Sequence, residues 1–147
     1  MSQSLLVQAE DGSLETTDGA TLHFSVERFR SVICDAGACF LCGAAASSRD
    51  FNDEHIFPRW LLEDLGLFNT KITLPNGTLM RYGQYVIPCC QQCNSRLGAE
   101  VEGPVSQILR GGFSAVKTHI EEQGPSLLYT WLSLIYLKTH LKDRDLR

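Results

Sequence analysis

The first thirty residues alternate apolar and polar side chains over short stretches, as in Thr21-Leu22-His23-Phe24-Ser25-Val26, and Asp11-Gly12 and Asp18-Gly19 supply turn signals. That pattern predicts a small β element. The stretch "GAAASSRD", from Gly43 to Asp50, is small and polar and reads as a loop. From Pro58 the period lengthens. Trp60, Leu61, Leu65 and Phe68 fall near helical spacing, with Pro58 suited to the first turn and Gly66 to the stop. In "KITLPNGTLMRYGQYVIP", Asn76-Gly77 lies between arms of β-branched and aromatic residues, which is the strongest hairpin signal in the chain. A short helix is expected to begin around Gln91 to Asn94 and to run through "SRLGAEVE". Two helical pieces, "PVSQILRGG" and "FSAVKTHIEEQ", follow, split by Gly111-Gly112, and "PSLLYTWLSLIYLKTHLKDRDLR" reads as a final helix apolar over much of its circumference.

Composition narrows the class. A chain of 147 residues, 44% hydrophobic and 20% charged, suits one ordinary globular domain or a small core with extensions. The net charge of −4 argues against a broad basic face for nucleic acid, so such a function would rest on a local basic patch, a bound metal or a partner. The start, "MSQSLLVQAEDG", turns acidic before an apolar run develops, and the most apolar stretch, Ser126 to Leu137, is too short to span a bilayer. A cytoplasmic protein without a membrane segment is expected. The last helix ends abruptly in a polar tail, which suggests the first part of a longer protein.

In a reducing compartment six cysteines point to metal before disulfides. Four of them form two C-x-x-C turns, Cys39/Cys42 and Cys90/Cys93, and two such turns supply the four soft, tetrahedral ligands that a structural zinc requires. Cys34 and Cys89 fall outside that spacing and read as small buried residues, with Cys89 a weaker substitute for Cys90. A four-thiolate zinc is coordinatively closed and by itself predicts no chemistry.

Between the knuckles stands "DEHIFP", Asp53 to Pro58, and directly after the second comes Asn94. A first C-x-x-C, an acid-His dipeptide with Pro three residues on, and a second C-x-x-C followed at once by Asn resemble the zinc-stabilised HNH endonucleases. The resemblance covers about Cys39 to Gly98. The longer run "EHIFPRWL … CNSRLGAEVE … LLYTWLSLIYLKTHLKDR" is also similar to a group of uncharacterised bacterial HNH proteins that continue beyond this point. The resemblance implies an α+β fold with a ββα-metal, treble-clef-like core around the zinc (residues 31–103), preceded by an N-terminal β extension (1–30) and followed by a C-terminal helical segment (104–147). It implies His55 as general base and one divalent ion held by Glu54 and Asn94, oxygen ligands suited to Mg²⁺ or Mn²⁺. On an extended strand Asp53, not Glu54, shares a face with His55, so Asp53 stands as the rival ligand. Arg59 and Arg96 flank these positions as candidate phosphate contacts. The chain departs from the family at Tyr85, where the middle Asn is expected, and in the long insert between the knuckles.

Two functions follow. One is a metal-dependent endonuclease hydrolysing phosphodiester bonds in DNA, in bacterial or phage defence. The other is a catalytically silent zinc module that binds nucleic acid or a protein partner, with His55 as an ordinary helix-capping or surface histidine.

Overall fold

The computed structural model describes residues 6–145 apart from Ala20, Arg49, Pro75 and Asn76, and describes Cys34, Arg144 and Asp145 by their backbone only. The expected burial of Cys34 and the Asn76 half of the hairpin turn therefore lie outside the described residues.

The alternating N-terminal segment forms a small sheet of β1 (Leu6–Gln8), β2 (Leu14–Thr16) and β3 (Thr21–His23), antiparallel in sequence order. Ser25 then caps α1 (Val26–Phe29), its hydroxyl accepting from the Arg28 N–H, and the chain continues as a wide π turn over Arg30–Asp35. A loop carries Cys39 and Cys42 to β4 (Phe51–His55). Next come α2 (Arg59–Asp64), β5 (Lys71–Thr73), β6 (Leu79–Arg81) and β7 (Val86–Cys90). As expected, Pro58 occupies the N-cap of α2, and Gly66 follows the helix in a left-handed conformation. The hairpin is present as the antiparallel pair β5–β6.

The central pairing is a different one. β4 and β7 run antiparallel from Phe51↔Cys90 to His55↔Val86 without a register shift, so α2 and the β5–β6 hairpin form an insert between paired strands. Pro88 lies opposite Asp53 and has no backbone N–H to donate to the ladder, which suits a two-stranded sheet where both strands are edges. From Cys90 the chain turns straight into α3 (Gln91–Leu97). The helix does not stop at Gly98. It widens into a π turn over Gly98–Glu102 and continues as α4 (Gly103–Arg110), where a Cβ on Gly103 would come within 2.9 Å of the Gly98 carbonyl. The break at Gly111 separates α4 from α5 (Gly112–Gln123), and α6 (Ser126–Asp145) completes the chain.

The core gathers around the β4–β7 pair. Ile33, Phe40, Ile56, Tyr85, Ile87 and Leu97 are buried together with Leu141 from α6. α6 packs on β7, on the π turn and on α4. It buries Trp131, Lys138 and Leu141 while leaving Tyr129, Leu132 and Tyr136 exposed, so its all-round apolar character is only half used. None of the described helices is long and apolar enough to cross a membrane.

Candidate metal centre and strand site

The two knuckles meet. The Sγ atoms of Cys39, Cys42, Cys90 and Cys93 all lie within 4.8 Å of one another. Tetrahedral zinc–thiolate geometry requires neighbouring sulfurs about 3.8 Å apart, and Cys42 Sγ and Cys90 Sγ are 3.8 Å apart. The first knuckle is closed by backbone: Cys39 N–H donates to the Ala44 carbonyl and Gly43 N–H to the Cys39 carbonyl, both at 2.9 Å. Gly43 is left-handed, and a Cβ there would touch the Phe24 ring at 3.2 Å. The second knuckle straddles a helix start, with Cys90 as N-cap of α3 and Cys93 in its first turn. Gln91 N–H donates to the Asp50 carbonyl at 2.9 Å, fastening that turn to the beginning of β4.

The electrostatics of the quartet suit a cation. Burial opposes ionisation of Cys39, but the backbone N–H groups of Cys90, Cys42 and Leu41 outweigh it and bring its thiol down to about 6. Burial pushes the thiols of Cys42 and Cys93 up, and the charge on Cys39 pushes them further. One thiolate forms readily and its neighbours resist a second charge, the balance that a divalent ion at the centre reverses. The four residues fit a structural zinc. Cys89, fully buried, stands beside them with its sulfur 3.9 Å from Cys39 Sγ. Burial first, then the Cys39 charge, hold it as a thiol.

The residues of "DEHIFP" are divided between faces. Because the β4–β7 register is regular, Asp53 and His55 share one face and Glu54 the other. Asp53 is exposed and His55 half-buried at the end of the strand. The His55 ring lies 5.8 Å from that of Phe68, and the Arg59 guanidinium sits over the same Phe68 ring at 5.4 Å, so Phe68 joins base candidate and arginine. Arg59 also pairs with Glu63 at 2.7 Å, and Arg96 with Glu100 at 2.9 Å, both on exposed helix faces. Asn94 is half-buried on α3, which packs against β4.

Glu54 is engaged elsewhere. Its Oε1 accepts from Lys138 Nζ of α6 at 2.7 Å, and the same ammonium donates to the His55 backbone carbonyl at 2.7 Å and stands 3.7 Å from Glu102 Oε1. Burial, and then the negative charge of Glu54, raise the Glu102 carboxyl to about 6 despite the pull of Lys138. Tyr85 is buried, accepts from Ile56 N–H through its carbonyl at 2.9 Å, and donates its hydroxyl to Asp143 Oδ1 at 2.7 Å.

Lys138, Glu102, Phe68 and Tyr85 thus surround the strand without any motif marking them. For Lys138 a signal exists: it stands at helical spacing with Trp131, Leu134 and Leu141, on the stripe that turns inward. Comparison with known proteins finds no matching family model, no matching curated protein and no matching solved structure.

Proposed function

We propose that this chain is a zinc-stabilised, metal-dependent endonuclease of the HNH type that hydrolyses phosphodiester bonds in DNA. The observation that carries the reading is the order of parts: an antiparallel pair, β4–β7, running directly into α3, with the four cysteines clustered at their junction and His55 at the far end of β4. A strand pair and helix braced by one zinc match what a ββα-metal core requires.

On this reading the His55 imidazole removes the proton from a water attacking phosphorus in line. Arg59, held on Phe68 beside it, takes a phosphate oxygen. A Mg²⁺ or Mn²⁺ ion, when bound, supplies stabilisation of the leaving 3′ oxygen. Asn94 and an acidic residue of β4 would hold it. Of the two acids, Asp53 is exposed on the His55 face, whereas Glu54 is paired to Lys138.

A second reading has its own support. The occupied carboxylate of Glu54 and the net charge of −4 suit a catalytically silent zinc module that binds nucleic acid or a protein partner. Plasmid nicking in Mg²⁺ or Mn²⁺ separates the two. The endonuclease nicks, and His55→Ala lowers the rate by at least about 100-fold, the usual weight of a general base. Equal activity in both proteins, or none in either under any divalent ion, would leave the silent module standing.

A further inference from the structure

Lys138 is 1% exposed in the middle of α6, 84 residues from Glu54 in sequence. Among the described residues its ammonium donates to Glu54 Oε1 and the His55 carbonyl, both at 2.7 Å, and stands at ion-pair distance, 3.7 Å, from Glu102 Oε1. Two acceptors and two carboxylates answer its charge, without which a buried lysine is costly. The same cluster of oxygens is what a divalent ion at Glu54 would need, and a cation belonging to the fold already fills it. An ion ligated there would have to expel that ammonium from the interior. The regular strand adds a separate objection, since it turns Glu54 away from the face that carries His55.

We infer that Glu54 and Lys138 form a built-in ion pair that fixes the end of β4, so that Glu54 is a positioning residue for His55 and not a ligand of the catalytic ion, which falls instead to Asp53. What concerns His55 as a base rests on the endonuclease reading; the ion pair and the exclusion of an ion from Glu54 do not. α6, which lies beyond the Cys39–Gly98 stretch that carries the HNH motifs, then becomes part of the site, because it supplies the donor that holds the backbone of the candidate base.

The test uses the zinc-loaded full chain and a cycle of Lys138→Met, Glu54→Gln and the double variant. Each single variant is expected to lower Tm by about 10 °C, because it strands one buried charge or dipole, and the double variant to unfold closer to wild type than either. The ring-proton signals of His55 in NMR spectra are expected to shift in Lys138→Met and to stay shifted in the double variant. There stability returns but the His55 carbonyl still lacks its donor. The His23 signals stay in place. Millimolar Mg²⁺ is expected to leave the carboxylate carbon signal of Glu54 in the wild type unmoved. Additive Tm losses, His55 signals restored in the double variant, or a Glu54 signal that moves with Mg²⁺ would each overturn the inference. Should a single variant not fold, the wild type decides through the Mg²⁺ titration and through the Lys138 ammonium. A slowly exchanging ¹⁵N signal supports the pair, and one lost to fast exchange refutes it. Absence of nicking would sink the endonuclease reading and leave the outcome for the pair unaffected.

Discussion

Glu102 sits at the edge of the Lys138 cluster, facing Glu54 of β4 and the ammonium of α6, and its carboxyl is raised to about 6 from an ordinary 4.5 by burial and the Glu54 charge. A raised carboxyl binds its proton more tightly in the folded chain than in the unfolded one. Its stabilising contribution is therefore complete below about pH 4.5 and is lost as pH rises through about 6. The shift corresponds to about 2 kcal/mol. Glu102→Gln, which keeps a neutral side chain at every pH, is expected to gain about 1.2 kcal/mol on the wild type between pH 5 and pH 7.5 in paired urea denaturations, the remainder of the shift falling below pH 5. A constant difference across that range would place the raised carboxyl elsewhere. The cysteine quartet was legible at this scale because two C-x-x-C turns are local signals, each readable within four residues. The partners of Lys138 and Glu102 were not, since they are remote in sequence; the inward stripe of α6 signals that Lys138 turns inside but not what it meets there.

Between elements, the same remoteness hid the main strand pair. Phe51–His55 has few β-formers, and the stronger Asn76-Gly77 signal lies within the stretch that separates β4 from β7. The hairpin is real, but it is an insert, and the pairing that carries His55 depends on tertiary packing. Helix boundaries were read better: Pro58, Gly66 and the Gly111-Gly112 break all lie where the local chemistry placed them. The passage from α3 into α4 escaped because one helix was expected to end with Glu102 and a new piece to begin at Pro104, whereas there the helix only widens. Tyr85 links two elements that no pattern connects, β7 and α6, through its hydroxyl on Asp143. Burial and that carboxylate push its phenol up, so it stays a hydrogen donor throughout the physiological range. Tyr85→Phe is expected to cost about 1.5 kcal/mol, as a charge-assisted bond does, and to do so only while Asp143 is present. Chemical denaturation of Tyr85→Phe in the wild-type and Asp143→Asn backgrounds measures it, and equal losses in both would disconnect the pair.

At the level of the molecule, the four-cysteine cluster, which could hold a metal ion, stands beside the core. The buried residues gather around one two-stranded sheet, and the cysteines tie the loop before β4 to the start of α3. Structural zinc sites in small peptides contribute on the order of 10 kcal/mol of folding free energy. Metal analysis is therefore expected to give one zinc per chain. A strong chelator is expected to lower Tm steeply and to remove the near-ultraviolet signal of the packed aromatic residues. A chain that keeps its Tm after losing its metal would not depend on the cluster. The charge balance of −4 was legible from composition, and it argues that any hold on phosphates rests on a local basic patch, a bound metal or a partner. One further property comes from the insert. Both ends of the stretch between β4 and β7 are held by the strand ladder, and the cysteine cluster lies at the opposite end of that ladder, where Phe51 pairs with Cys90. Loop-closure entropy rises only slowly with length, about 0.6 kcal/mol per doubling. The β5–β6 hairpin is thus the place where this fold can lengthen or shorten, and with it the reach of the molecule, while the strand pairing that carries His55 is kept.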